Sequence, residues 1–384
     1  MYILLISVIY LAFISLGLPD SLLGAAWPTL HISFGVPISY MGFISVIISA
    51  GTIVSSLLSE RLTARLGTRA VTTLSVLLTA LALLGFSLSD RFYKLCLFAI
   101  PYGLGAGAID ASLNNYVALH YTSRHMSWLH SFWGVGTIIS PYVMSYALLR
   151  SGWQSGYRAV SFIQLGIFAV LLLTLPIWKI NEKKSADKTD KSPAPLGVMG
   201  ALRIKGVPYL LLGFLSYCAM EATTMLWASS YLEDMIGLTK DEAAAFGSLF
   251  FIGMTVGRFI SGFITERLGD SKMIRLGTLI AALGIILTVI PLHITAISGF
   301  ILIGLGCAPI YPSIIHATPG NFGEENSSAI IGIQMAAAYT GSLLAPPLFG
   351  ILADGISLRL MPLYLAAFLV LMTVMISKTE RSVG

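Results

Sequence analysis

Three carboxylates stand inside long apolar stretches of the sequence. Asp20 lies within a run from Tyr2 to about Leu30, and Asp110 and Glu221 lie in comparable runs. A charge at the centre of a bilayer costs about 2.5–3.5 kcal/mol on insertion scales. A carboxylate avoids most of this cost by binding a proton, which it releases when water reaches it. We therefore predict that Asp20, Asp110 and Glu221 handle protons; the alternative is that each only hydrogen-bonds to a neighbouring helix.

Polar and aromatic side chains at helical spacing accompany two of these acids. Asn114 comes four residues after Asp110, so both lie on one helix face, and Asn115 follows. Their amides offer donors and acceptors for a hydroxylated substrate, although asparagine also links helices in membranes. Trp27 comes seven residues after Asp20 and shares its face on an unbroken helix. An indole there could stack on a sugar ring, or it could be an interfacial anchor.

The remaining candidates for substrate contacts lie in later segments. Trp227 follows Glu221 by six residues, so the two share a face only if the helix is interrupted. His130, near the start of its segment, could relay protons or could be an ordinary helix-end residue. We expect Arg258 to pair with a gate carboxylate or with loop carbonyls, and we exclude it from the site. The predicted substrate-binding residues are Asp20, Trp27, Asn114, Asn115, His130, Trp133, Trp227, Tyr311, Gln334 and Tyr339.

Twelve apolar segments must carry these residues. Of the 384 residues, 56% are hydrophobic and 11% are charged, whereas soluble domains carry about 25% charged residues. A membrane-spanning helix needs about 20 mostly apolar residues. On this criterion the sequence predicts an all-α membrane protein with spans near 2–30, 37–58, 70–89, 93–120, 127–149, 157–178, 207–232, 243–264, 274–292, 295–317, 329–352 and 358–377.

A polar stretch at 179–206 divides the spans into six and six. It contains the segment NEKKSADKTDKSPAP, which is too polar to pack a core. We predict two six-helix bundles, 1–178 and 207–384, joined by this linker. The linker, the C-terminus and the loops after even-numbered spans together contain 16 lysines and arginines. The loops on the other side of the membrane, after odd-numbered spans, contain six. Because cytoplasmic loops carry the excess of positive charge, we predict cytoplasmic termini and a plasma (inner) membrane location.

The two halves resemble each other at an offset of about 200 residues. LTARLG at 62–67 returns as ITERLG at 264–269, and GLGAG at 103–107 returns as GLGCA at 304–308. Tyr311 falls where Asp110 falls in this repeat, which favours proton chemistry in the first half and substrate contacts in the second. Parallel repeats of this kind relate the two halves of transporters that have twelve helices.

The loops between spans carry a family resemblance. The twelve spans, the basic linker and the loops near 62–69 and 264–272 resemble the major facilitator superfamily. In that family the loop between helices 2 and 3 carries a Gly, then Asp-Arg, then Gly and basic residues. The second copy, GFITERLGDSK, keeps Glu266 and Arg267. In the first copy, ARLGTR, Ala64 stands where the family usually has the acid that anchors the conformational gate.

Three further motifs resemble the fucose–proton symporter family within that superfamily. PDSLL resembles Asn-Asp-Ile-Leu-Leu, which places Asp20 on the family's helix 1 aspartate. GAGAIDASLNNYV resembles Gly-x-Gly-x-x-Glu-x-x-x-Asn, which places Asp110 on the proton-handling glutamate and Asn114 on the asparagine. LHSFWGVGTIISP, which holds His130 and Trp133, is similar to the form Leu-His-x-Phe-Phe-Gly-x-Gly.

The resemblance implies two pseudo-symmetric bundles in the major facilitator fold and a secondary active transporter. The expected activity is proton-coupled symport of a sugar or related polyol by alternating access. Two alternatives remain: a drug–proton antiporter for multidrug efflux and a sodium-coupled sugar transporter. A non-transporting receptor is disfavoured, because a receptor has no need of three buried acids. Walker, HEXXH and GXSXG motifs are absent, so we expect a protein that is not an enzyme. We also expect no cofactor, no metal and no nucleic-acid partner. The protein is expected to be a monomer in the lipid bilayer.

Overall fold

The chain is built from long helices. A computed structural model describes residues 2–186, 195–247 and 249–383. Within those residues, 12 helical segments are long and apolar enough to cross a membrane, which confirms the predicted spans. In chain order the spans are Tyr2–Asp20 with Leu22–Phe34, Met41–Leu66, Thr68–Ser87, Phe92–His120, Ser123–Arg150, Trp153–Ala186, Val207–Ile236, Leu249–Leu268, Asp270–Val289, His293–Phe322, Glu324–Gly355 and Met361–Val383.

Short helical elements lie between some of the spans. The 3-10 turns Ile38–Tyr40 and Leu358–Leu360 precede the second and twelfth spans, and the helix Lys240–Gly247 precedes the eighth. A further short helix, Gly197–Leu202, lies in the predicted linker. Residues 187–194 of that linker lie outside the described residues.

Contacts between helices divide the chain into two units. The first comprises Met1–Tyr116 and Phe132–Gly197, and the second comprises Val117–Ser131 and Val198–Gly384. The segment Val117–Ser131 joins the fourth and fifth spans, yet it groups with the second half of the chain. The bundle limits given above from the sequence stay a prediction.

The second and fourth spans cross at backbone distance, and so do the eighth and tenth. A Cβ on Gly103 would lie 2.2 Å from the carbonyl oxygen of Ile48. A Cβ on Gly304 would lie 2.2 Å from the carbonyl oxygen of Phe250. Small residues permit this close approach of helices in membranes. The internal repeat predicted from the sequence is therefore present in the packing of each unit.

The first and fifth spans meet in the same way as the seventh and eleventh. A Cβ on Gly136 would lie 2.4 Å from the carbonyl oxygen of Ile14, and one on Gly341 would lie 2.4 Å from that of Leu215. In the first unit, this crossing holds the fifth span directly against the helix that carries Asp20.

Substitution of Gly136 tests this crossing. Gly136→Ala is expected to lower the free energy of unfolding by about 1–3 kcal/mol, because the added methyl group must push two helices apart. Gly166→Ala in the sixth span is the matched control, since nothing lies within 4 Å of its Cβ position. Thermal unfolding in detergent measures both variants, and equal midpoints for the two would contradict the close approach.

Candidate functional site

A break in the first span sets the position of Asp20. The helix Tyr2–Asp20 ends there, and the next helix begins at Leu22. Pro19 has no N–H, so the carbonyl of Ser15, four residues earlier, loses its helical partner. The buried Gln164 side chain of the sixth span replaces that partner, and its Nε2 donates to the Ser15 oxygen at 2.7 Å. The interruption of the first span is therefore hydrogen-bonded rather than exposed to lipid.

The fifth span, Ser123–Arg150, is a continuous helix that also contains a proline, Pro141. Pro141 removes the helical partner of the Thr137 carbonyl in the same way. The hydroxyl of Ser21 donates to that carbonyl oxygen at 2.6 Å and lies 2.9 Å from the Oγ of Ser140. The residue that follows Asp20 is thus hydrogen-bonded to the fifth span, which holds the carboxylate at the break in the first span.

Two neutral donors hold the carboxylate of Asp20. The hydroxyl of Tyr102 donates to Oδ1 at 2.8 Å, and Nε1 of Trp133 donates to Oδ2 at 2.8 Å. Asp20 itself is exposed, although the four residues before it are buried. Among the described residues, no lysine, arginine or histidine forms an ion pair with it. Two of the roughly four acceptor positions of the carboxylate are filled, and the others are open to water, a proton or a hydroxylated ligand.

Asp110 lies in an enclosed environment in the fourth span. It is 4% exposed, and Nδ2 of Asn114 donates to its Oδ1 at 2.8 Å and to its backbone oxygen at 3.0 Å. The four-residue spacing predicted this shared face, and the structure confirms it. Asn114 is fully buried and Asn115 is 8% exposed. A carboxylate enclosed in this way is stable only if it is neutral or strongly hydrogen-bonded.

Glu221 has a different kind of partner from Asp20, although the repeat makes the two positions equivalent. Its Oε1 lies 3.2 Å from NH2 of Arg258, and the two side chains are 13% and 6% exposed. The sequence analysis did not name Glu221 as a partner of Arg258. An arginine keeps its charge, so burial in the eighth span requires an anion beside it. Arg258 lies six residues from the nearer end of its predicted span, whereas the other lysines and arginines lie in loops or within two residues of a span end. This position indicates an anion nearby without selecting Glu221.

Removal of one member of this pair should be costly. Glu221→Gln is expected to lower the free energy of unfolding by about 3–5 kcal/mol, because it leaves the Arg258 guanidinium buried without its anion. The double variant Glu221→Gln with Arg258→Gln is expected to be more stable than Glu221→Gln alone. Thermal unfolding in detergent measures both, and a double variant that is less stable than the single variant would contradict a neutralising role for the pair.

Two predicted substrate residues lie in packing contacts instead. Trp27 is 3% exposed, with its ring centroid 6.4 Å from that of Phe92 in an edge arrangement. The helix ends at Asp20 and resumes at Leu22 between the two residues, and a substrate contact of Trp27 stays a prediction. Nε1 of Trp227 donates to the carbonyl oxygen of Pro346 at 3.0 Å, and its ring packs on the eleventh span.

The candidates of the second unit form a separate aromatic cluster. The ring of Tyr311 lies 4.8 Å from His130, 4.7 Å from Phe214 and 6.0 Å from Tyr217. The hydroxyl of Tyr311 points to Sδ of Met335 at 3.4 Å. This arrangement brings together two residues that the sequence placed on different predicted spans.

Gln334 and Tyr339 complete the predicted set. Gln334 is fully buried, and its Oε1 accepts a hydrogen bond from Thr318 Oγ1 at 3.0 Å. Tyr339 is half-buried in the same eleventh span. In the described part of the chain, no group of three or more histidine, cysteine or carboxylate side chains is placed to hold a metal ion.

The structure brings some of the predicted site residues into direct contact. Asp20 and Trp133 meet directly, as do Asp110 with Asn114 and His130 with Tyr311. Tyr102, the second donor to Asp20, was missed by the sequence analysis. The only feature of the sequence that could have indicated Tyr102 is its hydroxyl group, which directly precedes the GLGAG motif.

Comparison with known proteins places this geometry in a family. An uncharacterised transporter of the major facilitator type from Yersinia pestis is 27% identical over 338 residues, which cover 86% of this chain and 85% of that protein. A glucose/galactose transporter of Brucella abortus is 23% identical over 303 residues and covers 73% of this chain and 71% of its own.

A solved structure extends the comparison to the whole fold. The Escherichia coli fucose:proton symporter FucP superposes with a TM-score of 0.76 at 16% sequence identity. The match covers 97% of this chain and 99% of that one. At this identity the likeness shows a common fold, which confirms the predicted fold class and its resemblance to the fucose symporter. The Major Facilitator Superfamily model matches residues 9–239 and 209–382. The chain therefore belongs to the Major Facilitator Superfamily, a family of multi-pass membrane transporters and not of enzymes.

Proposed function

We propose that this chain is a proton-coupled symporter of a sugar or related polyol. One observation carries the proposal: Asp20 is an exposed carboxylate inside a membrane span, and its hydrogen-bond partners are the neutral donors Tyr102 and Trp133. A neighbouring cation would fix the carboxylate in its charged form. Because its donors are neutral, the Asp20 carboxylate can bind a proton when it is shielded from water and release the proton when water reaches it.

The contrast with Glu221 supports a proton site at Asp20. Glu221 already has a buried guanidinium beside it, so the pair is neutral overall without a bound proton. Asp110 is the second predicted proton site, enclosed and hydrogen-bonded to Asn114. We propose that Asp20 and Asp110 act together in coupling, and that Glu221 and Arg258 stabilise the second unit.

The surroundings of Asp20 suit a hydroxylated ring. The open acceptor positions of its carboxylate can take hydroxyl donors from a substrate. The indole of Trp133, half-buried beside it, offers an apolar face for the C–H side of a sugar ring. Relatives that carry sugar names, such as the Brucella glucose/galactose transporter, favour this substrate class.

The proposal includes a membrane and an orientation. We place the chain in the plasma (inner) membrane with both termini cytoplasmic, because basic residues are concentrated in the linker and in the loops after even-numbered spans. The bundles extend over 1–178 and 207–384 in this proposal, with the linker at 179–206.

Uptake into proteoliposomes tests the proposed function. A panel of hexoses, pentoses, polyols and cationic drugs is offered while proton and sodium gradients are imposed separately. The expected result is accumulation of one or more sugars or polyols that depends on the proton gradient. Accumulation driven by sodium alone, or export of the cationic drugs in exchange for protons, would overturn the proposal and would identify the alternative.

A further inference from the structure

A compact polar cluster lies in the second unit, where the segment Val117–Ser131 meets the ninth and tenth spans. Nδ1 of His316 lies 2.6 Å from Oδ2 of Asp270. The hydroxyl of Ser123 donates to Oδ1 of Asp270 at 2.7 Å and lies 2.7 Å from the same His316 nitrogen. Nε2 of His316 faces the carbonyl oxygen of Tyr121 at 3.2 Å. Nothing in the symport site described above uses these residues.

Both ring nitrogens of His316 face oxygen acceptors. A backbone carbonyl cannot donate, so the contact with Tyr121 requires a proton on Nε2. The 2.6 Å contact between Nδ1 and the Asp270 carboxylate requires a further proton between those atoms. A neutral imidazole beside an ionised carboxylate supplies only one of these two protons. The geometry is therefore satisfied only when the histidine–aspartate pair holds one additional proton.

Water can exchange this proton. The His316 and Asp270 side chains are 20% and 16% exposed, and both line a cavity of about 750 Å³. Histidine is the side chain that changes charge near neutral pH. The cluster therefore has a titratable group, an anionic partner and access to solvent.

Other charged groups face the same region from the neighbouring elements. Glu266, in the eighth span, accepts a hydrogen bond from Thr122 at 2.8 Å and is paired with Arg124. Glu324 and Glu380 line the cavity from the eleventh and twelfth spans. The carboxylate of Glu380 binds the Arg275 guanidinium at 2.9 Å. These groups surround the histidine–aspartate pair, and their contribution must be separated from it by experiment.

We propose that His316, Asp270 and Ser123 form a proton-binding latch that fastens the segment Val117–Ser131 to the ends of the ninth and tenth spans. The bound proton turns neutral hydrogen bonds into charge-assisted ones, which are stronger. The latch is thus closed at low pH and is weakened at higher pH, when the added proton is lost. The segment comprises the end of the fourth span, the turn at Tyr121 and Thr122, and the start of the fifth span.

The consequence for transport rests on the proposed function. The latch lies on the side that the charge bias assigns to the cytoplasm. Protons delivered there by symport would fasten it and slow the next cycle. The latch would then act as feedback from cytoplasmic acidity on proton-coupled import.

Hydrogen–deuterium exchange of the full chain in lipid nanodiscs tests the latch without any substrate. Peptides covering residues 117–131 are compared at pH 6 and pH 8.5 after correction for the chemical exchange rate. We expect about fivefold greater protection at pH 6, which corresponds to the difference between a charged and a neutral hydrogen bond. His316→Gln and Asp270→Asn should each reduce this ratio to about one.

Two control variants separate the latch from its surroundings. His125→Gln removes a histidine of the same segment whose ring packs on Tyr121 and Trp128, and Glu380→Gln removes a carboxylate of the cavity. Both should keep the fivefold ratio. A ratio of about one in the unaltered protein, or a fivefold ratio that survives in His316→Gln or Asp270→Asn, would overturn the latch. Because the measurement needs no transport, a failure of proton-driven uptake would overturn the proposed function and leave this result intact.

Discussion

Replacement of Asp20 by asparagine is expected to abolish accumulation of substrate in a proton gradient. Asparagine cannot exchange a proton, and its single side-chain oxygen cannot accept from both Tyr102 and Trp133, which each donate at 2.8 Å to a different carboxylate oxygen. Each lost charge-assisted hydrogen bond corresponds to about 1.5–3 kcal/mol. We therefore expect binding of the transported sugar to weaken by at least about tenfold as well.

Active uptake and binding assays on matched variants measure this effect. Asp90→Asn is the control, because Asp90 is an exposed loop carboxylate that pairs with Lys94 at 2.6 Å and lies outside the spans. The control should accumulate substrate as the unaltered protein does. Normal accumulation in Asp20→Asn would remove Asp20 from the coupling mechanism.

Replacement of Asp110 by asparagine is expected to separate exchange from accumulation. The variant resembles the permanently protonated carboxyl, and its amide oxygen can still accept the hydrogen bond that Asn114 donates at 2.8 Å. Such a carrier binds substrate and exchanges it across the membrane, yet it cannot release a proton to drive uphill transport. Counterflow should therefore stay within about a factor of three of the unaltered rate, while accumulation falls to the equilibrium level.

Counterflow and active uptake in the same vesicles test this separation. Asp20→Asn provides the contrast, since it is expected to lose both activities. If Asp110→Asn still concentrates substrate in a proton gradient, Asp110 is not the coupling site, and Glu221 becomes the next candidate.

Sequence patterns predicted the features that depend on neighbours along the chain. Hydropathy located the twelve spans because each must match the thickness of the bilayer. The four-residue spacing of Asp110 and Asn114 predicted their shared helix face, and a hydrogen bond joins them there. The offset between the halves predicted an internal repeat, and the crossings at Gly103 and Gly304 follow it.

Contacts between distant helices could not be predicted in this way. Tyr102 and Trp133 reach Asp20 from two other spans, and their meeting depends on the rotation and depth of each helix. The break between Asp20 and Leu22 has its stabilising partner in the sixth span, where Gln164 donates to the carbonyl that Pro19 leaves without a helical partner. A single sequence carries no direct information on such rotations.

The partners of the charged residues also come from distant segments and could not be predicted from the sequence. Arg258 was recognised as a cation inside a span, which required an anion nearby, but its spacing did not select Glu221 over a gate carboxylate. The cluster of Ser123, Asp270 and His316 joins three segments far apart in sequence. Each of its residues, taken alone, is ordinary for a helix end.

The central claim is that Asp20, acting with Asp110, couples sugar transport to proton transport, and substrate-driven proton movement tests it most directly. Right-side-out vesicles in a weakly buffered medium receive a pulse of the sugar identified by the uptake panel, and the external pH is recorded. The account predicts alkalinisation of the medium with the unaltered protein and with Asp90→Asn, and none with Asp20→Asn. Alkalinisation by Asp20→Asn with the same number of protons per sugar would contradict it.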